Sequence, residues 1–169
     1  MEETKKIKYC GIILKDTLEA HQEMMYAIGF LLANKNWVLR TSGDLGIPNP
    51  FEAAAKNNAG IVEKLNFNDM SVQVLSCCNK LFPKEFVNFS EGKQKYIGNL
   101  VGSILGKNCD EPAKFVMLAS NKRKTAIDIK KICTQNKIDY YDIYTSEGVV
   151  QVQQKIDILV KRYIHHLSF

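Results

Sequence analysis

Histidine and proline are scarce in this chain and long apolar runs are missing, and each shortage narrows what it can be. Three histidines (His21, His165, His166) offer little imidazole for a metal centre. The five cysteines (Cys10, Cys77, Cys78, Cys109, Cys133) lack the CxxC spacing of zinc and thioredoxin-like sites. No metal and no cofactor are therefore expected. An odd number of cysteines, several in apolar surroundings, reads as free thiols in a reducing cytoplasm. The four prolines mark no linker, and no repeat or low-complexity segment interrupts the chain. The longest apolar runs fall far short of a membrane span, and the opening MEETKKIKY is too charged for a signal peptide. These absences predict a soluble, cytoplasmic protein with no membrane partner.

What is present is globular. With 169 residues, 46% hydrophobic and 24% charged, the chain can bury one sizeable core, and a single domain over 1–169 is expected. Its net charge of +5 permits a polyanionic partner, but a lysine-rich solvated surface gives the same count. Ile7 to Leu14 (IKYCGIIL) reads as a buried parallel strand. Asp16 and Glu19 stand at capping-box spacing, and Leu18, Met24, Met25, Ile28, Leu31 and Leu32 form a helical apolar face ending at Asn34-Lys35-Asn36. Further strands are predicted from Trp37, over Ile61–Leu65, Phe115–Ala119 and Ile138–Ile143. Helices are predicted over Phe51–Lys56, Asp69–Lys80, Lys93–Leu105 (capped by Ser90), after the Ser120–Thr125 loop with Ile127, Ile129 and Ile132 inward, and from about Glu147 (capped by Ser146) to Ile164. Gly98, Gly102 and Gly106 recur every four residues, allowing close packing inside the domain or across an interface. Alternating strands and helices predict an α/β, Rossmann-like three-layer sandwich with a mostly parallel sheet.

Ligands of such sheets sit at the carboxyl ends of the strands. Three such ends carry candidate residues. Lys15 and Asp16 follow the first strand. After the second, in WVLRTSGDLGIPNPFEAAA, come Thr41, Ser42, Gly43, Asp44 and Gly46, and then a helix opening at Asn49-Pro50-Phe51-Glu52. That helix is already capped by Asn49 and Pro50, and Asp44 and Glu52 put negative charge where a phosphate would come, so the glycine loop suits a ribose or base better. Ser120-Asn121-Lys122-Arg123-Lys124-Thr125 is the most basic short loop in the chain. Beside a helix amino terminus it can hold a phosphate through Lys122, Arg123, the Thr125 hydroxyl and backbone N–H groups. A solvated basic turn is the alternative.

The stretch LRTSGDLGIPNPFEAAA resembles the signature of the SLOG superfamily, roughly LR[ST]GGAxGADxxFxxGA. That superfamily includes DprA-type DNA-processing proteins and LOG-type phosphoribohydrolases. Arg40, Thr41, Gly43, Gly46, Phe51 and Ala55 fall in register, whereas Ser42, Asp44, Ile47, Pro48 and Ala54 depart from it. Outside this segment the likeness is weaker. Tyr9-Cys10-Gly11 with Lys15-Asp16-Thr17 resembles the first strand and turn, Gly98-Asn99 a helix in which an arginine is lost and Asn99 kept, and Phe115–Thr125 a phosphate loop whose glycines have become Lys122, Arg123 and Lys124. The resemblance implies a Rossmann-like fold, a homodimer, and a ligand site including Gly11, Lys15, Asn99 and Ser120.

The LOG-type PGGxGTxxE motif has no match; Asp128, three residues after Thr125, stands at about the place of its glutamate, and an exposed first-turn acid is the plainer reading of it. The first expectation is therefore binding of a nucleotide or nucleotide-derived ligand, of ADP-ribose or cyclic-nucleotide type, in a sensor or sequestering role without LOG-type catalysis. An N-glycosidic-bond hydrolase is the second, with Asp128, Asp44 or Glu52 as the acid or nucleophile and Arg40 or Arg123 placing phosphate. A DprA-like single-stranded nucleic-acid binder is the third, resting on the Lys122 to Lys124 cluster.

Overall fold

Short runs of buried aliphatic and aromatic residues supply the strands, and each is followed by a segment with helical periodicity that returns the chain across the sheet. The structure, a computed structural model, describes residues 6–14, 17–42, 48–65 and 70–167, with side chains of the last helix described to residue 157. The element order is β1 (Lys8–Ile13), α1 (Glu19–Asn34), β2 (Val38–Ser42), α2 (Pro50–Asn57), β3 (Val62–Leu65), α3 (Val72–Leu81), a 3₁₀ turn (Phe86–Asn88), α4 (Glu91–Leu105), β4 (Phe115–Ala119), α5 (Arg123–Gln135), β5 (Asp139–Asp142) and α6 (Ser146–Leu167). Among the described residues the strands form one sheet in the order β3-β2-β1-β4-β5. Every pairing is parallel, with Tyr9 opposite Leu39, Gly11 opposite Met117 and Arg40 opposite Glu63. This is the α/β Rossmann-like sandwich that the alternation of elements predicts.

Helices cover both faces, which is why β1 and β4 are apolar almost throughout. On one face Cys10, Ile12, Val116 and Leu118 pack with residues of α3, α4 and α5, including Val74, Ile97, Val101, Ile104 and Ile129. On the other, Tyr9, Leu39, Phe115 and Met117 pack with Met25, Ile28, Leu32, Phe51 and Val152 of α1, α2 and α6. Burying one such side chain stabilises the fold by about 1.5–3 kcal/mol. Gly11 and Gly29 bring α2 close to the sheet and to α1: a Cβ on Gly11 would lie 2.5 Å from the Phe51 ring, and one on Gly29 3.0 Å from the Ala54 Cβ.

Several local expectations shift. The residue before α1 is Leu18, not Asp16, which lies outside the described residues, and Leu18 provides no side-chain cap. Leu18 and Leu31 of the predicted α1 face are exposed, as are Val72 and Leu75 of α3. Ile127 is also exposed, and Ala126 takes its inward place: Ala126, Ile129, Ile132 and Cys133 share one face at spacings of three and four, whereas Ile127 stands two residues from Ile129, on the opposite side of the helix. Ser146 is the first helical residue of α6; Thr145 caps it, accepting from the Gly148 amide at 3.0 Å. Two of the three spaced glycines serve the chain itself. A Cβ on Gly98 would strike Met70, and Gly106 ends α4 at φ 93°, close against Glu111. No described helix is long and apolar enough to cross a membrane.

Candidate functional site

Strand order reverses between β1 and β4, so the crevice of this sheet opens where the chain leaves those two strands. Thr17 fastens the two ends together. Its hydroxyl accepts from the Leu14 amide at 3.2 Å and donates to the Ala119 carbonyl at 3.1 Å. Gln22, one turn into α1, donates to the Thr17 carbonyl at 3.0 Å. The sequence shows Thr17 only as part of a turn; its bonding role depends on β4, a hundred residues further on. Lys15 and Asp16 lie outside the described residues.

On the β4 side, Ser120 is buried and its Oγ accepts from the Lys122 amide at 2.9 Å. Lys122 is the residue before α5 and no side chain caps the helix there. Arg123, Lys124 and Thr125 are therefore first-turn helical residues rather than loop residues. Arg123 is tethered: its Nη2 donates to the Ser120 carbonyl at 2.6 Å and to Asp142 Oδ2 at 2.8 Å. Asp142, buried at the end of β5, also accepts from the Tyr144 amide at 3.1 Å. That carboxylate holds Arg123 charged above its ordinary range. Half the Arg123 side chain (54%) still faces solvent. Lys122 and Lys124 are exposed and outside any ion pair among the described residues. The helix dipole and three cations thus meet at one end of the crevice.

Thr125 is half-buried beside the Tyr96 hydroxyl, which makes no well-formed hydrogen bond. Tyr96, Asn99 and Ser103 follow at spacings of three and four on α4, so they share one stripe. Tyr96 Oη, Asn99 Oδ1 and Ser103 Oγ are all buried without a well-formed hydrogen bond among the described residues. Asp128, one turn further along α5, is pushed above the ordinary carboxylate range by burial, with Lys93, Lys124 and Lys131 opposing. Beyond Arg123 a cavity of about 440 Å³ opens between α5, β5 and α6, lined by Ile127, Lys130, Tyr140, Thr145 and Gln151.

The β2 end is built differently. Asn49 Oδ1 accepts from the amides of Phe51 and Glu52 at 3.0 and 3.4 Å, while its Nδ2 donates to the buried Thr41 hydroxyl at 3.1 Å. Glu52 is held below its ordinary range by its hydrogen bond to Lys56 (2.6 Å), with Lys64 assisting at 3.3 Å. Ser42 is half-buried at the strand end. Gly43, Asp44 and Gly46 lie outside the described residues. Gly11 sits inside β1, its Cα covered by Phe51, so what it offers is room for a neighbouring ring.

Arg40 does not reach the carboxyl end. It is fully buried and donates through Nη1 to the Glu111 carbonyl at 2.7 Å, through Nη2 to Glu111 Oε2 at 3.2 Å and through Nε to Glu63 Oε2 at 3.3 Å. Lys8 joins both carboxylates at 2.9 and 2.7 Å, giving two cations on two anions. Breaking such a pair from one side costs about 3–5 kcal/mol, which makes Arg40 a structural charge. The hydrolase reading thereby loses one of its phosphate-placing residues. An arginine inside an apolar strand signals that an acid must meet it, but nothing in the spacing names Glu63 and Glu111.

No family model matches the chain, and no curated protein matches it. Among solved structures the chain is similar to the Moco carrier protein of Chlamydomonas rheinhardtii, at 14% identity and a TM-score of 0.43, over 90% of this chain and 99% of that one.

Proposed function

We propose that this chain is a single SLOG-like domain over 1–169 that binds a nucleotide or nucleotide-derived ligand, of ADP-ribose or cyclic-nucleotide type, in a sensor or sequestering role and without LOG-type catalysis. The observation that carries this reading is the uncapped amino terminus of α5 beside the β1–β4 crossover, flanked by Lys122, Arg123 and Lys124. A phosphate there meets the helix dipole, two exposed ammonium groups and the free edge of Arg123. Thr125 lies within the same turn. The Tyr96 hydroxyl lies beside Thr125, and one turn along α4 from it Asn99 offers a buried Oδ1 with no partner among the described residues. The glycine loop after β2 is assigned to the sugar or base, with Thr41 and Ser42 at its root. A homodimer belongs to the same reading and would have to use a surface other than Gly98 and Gly106.

Thermal-shift titration with nucleoside mono- and diphosphates, ADP-ribose and cyclic nucleotides tests it. A stabilising shift that rises with ligand and is lost in K122Q/K124Q is the expected result. The absence of any shift at millimolar ligand sinks the reading. Asp128 favours one second reading, because burial raises its carboxyl above the ordinary range, the direction a general acid needs. Incubation with nucleoside monophosphates should then release free base, and D128N should stop it; unchanged nucleotides remove the N-glycosidase.

A further inference from the structure

We propose that the opposite, amino-terminal end of the sheet is a docking surface for the phosphodiester backbone of double-stranded nucleic acid. Lys6 precedes β1 by two residues, Lys114 stands directly before β4, and Lys137 precedes β5 by two. Those three strands are neighbours in the sheet, and neighbouring strands run about 4.8 Å apart. The topology thus turns three lysines far apart in sequence into one row across adjacent strand entrances. Between them lies a cavity of about 440 Å³, open to solvent, with Lys8 and Asn136 also on its wall.

Charge accounting on this wall leaves a cationic excess. The two carboxylates that line it are already engaged, Glu111 by Lys8 and Arg40, and Asp139 by Lys155 at 3.0 Å. Lys6, Lys114 and Lys137 are exposed and outside any ion pair among the described residues. The helix dipole accounts for a cation after α5, at Lys137, but not for Lys6 or Lys114, which follow no helix end. Lys137 also takes φ 54°, a left-handed conformation that asparagine or glycine adopts at less cost.

The chemistry of the wall selects the partner. No aromatic side chain lines it, so bases have nothing to stack on and a single strand gains little. Lysines are point charges without the fork that reads base edges, which suits backbone contact independent of sequence. A concave wall receives the ridge of a duplex backbone, whereas a flat anionic bilayer would bridge over it.

Fluorescence anisotropy with a short random-sequence DNA duplex at low salt tests the proposal. Binding should weaken with added salt along a log–log slope of about −3, one phosphate per lysine. K6Q/K114Q/K137Q should lose roughly tenfold or more in affinity and most of that slope, whereas K122Q/K124Q, at the other end of the sheet, should keep duplex binding. That pair of variants separates this surface from the nucleotide site, since either proposal can fail while the other stands. Four results overturn the duplex surface: no binding at low salt, an unchanged affinity in the triple variant, loss in K122Q/K124Q instead, or tighter binding to a matched single strand or to anionic vesicles.

Discussion

Two junctions of this sheet share one plan, a strand ending at the carboxyl edge and a helix starting beside it, yet they are finished in opposite ways. Where β2 leads towards α2, Asn49 caps the helix, Pro50 occupies its first position, Phe51 anchors it in the core and Glu52 is locked between two lysines. Where β4 leads to α5, no side chain caps the helix and the first turn carries cations. A helix amino terminus must find acceptors somewhere. At α2 the chain supplies them; at α5 Ser120 accepts from the Lys122 amide and the residue before the helix provides no side-chain cap. The difference separates a junction closed by its own side chains from one left open, and the proposed binding rests on the open one.

The largest effect is expected from removing what holds the closed junction. Phe51 is fully buried against Tyr9, with ring centroids 6.0 Å apart, and over Gly11. Phe51→Ala should cost about 3–5 kcal/mol in urea unfolding. Lys124→Ala, at the first turn of α5, should change stability by less than about 0.5 kcal/mol. Gly11→Ala should cost about 1–3 kcal/mol, because its Cβ would enter the Phe51 ring. It should cost much less in a Phe51→Ala background, where the ring is gone. Additive losses would mean that the two residues do not share that space.

The closed junction was also the more legible one. Asn49-Pro50-Phe51-Glu52 carries its capping chemistry within four consecutive residues, and the structure forms both bonds to Asn49. Strand Phe115–Ala119 was equally plain, since a run buried on both faces has no competing pattern, whereas β2 runs on from the apolar Val38-Leu39 through Arg40 and Thr41 into Ser42, which reads as the start of the turn. The open junction depends on residues distant in sequence. Nothing near Arg123 announces Asp142, and nothing near Thr17 announces Ala119, because parallel strands bring such partners together only through the sheet order. The same reason hid Glu63 and Glu111 from Arg40. The starting residue of α5 was missed because Lys122-Arg123-Lys124 has no capping side chain to mark a boundary. The outward face of Ile127 has a different cause: two residues from Ile129, it lies on the opposite side of the helix.

Exchanging the two finishes tests the contrast at intermediate size. Asn49→Ala should destabilise by about 1 kcal/mol, by losing the cap of α2 and leaving the Thr41 hydroxyl without its amide donor. Lys122→Asn should do the reverse at α5, gaining about 0.5–1 kcal/mol by capping the helix. The same substitution should weaken any phosphate-bearing ligand, since it removes a charge and fills the site. Chemical denaturation and thermal-shift titration read the two effects separately. If Lys122→Asn leaves both stability and ligand response unchanged, the open end of α5 is not the binding feature.

The smallest and most discriminating effect is the pH dependence of two carboxylates with opposite shifts. The hydrogen bond from Lys56 lowers the folded-state pKa of Glu52 below its unfolded value. Its contribution to stability is therefore present above the unfolded pKa and lost as pH falls through the folded one. Burial raises the folded-state pKa of Asp128. There the folded protein binds the proton more tightly, so Asp128 destabilises above its folded pKa and ceases to do so as pH drops below the unfolded value. At neutral pH Glu52→Gln should lower the melting temperature and Asp128→Asn should raise it. Each effect should amount to a few tenths of a kcal/mol, because the lysines that face Glu52 are exposed and Asp128 is only half-buried. Both differences from the parent should vanish in acid, once the pH is below the folded-state pKa of Glu52 and the unfolded-state pKa of Asp128. Melting curves of the three proteins across that interval decide it. A loss of stability in Asp128→Asn at neutral pH would mean that Lys93, Lys124 and Lys131 outweigh burial, leaving Asp128 charged and unsuited to donate a proton.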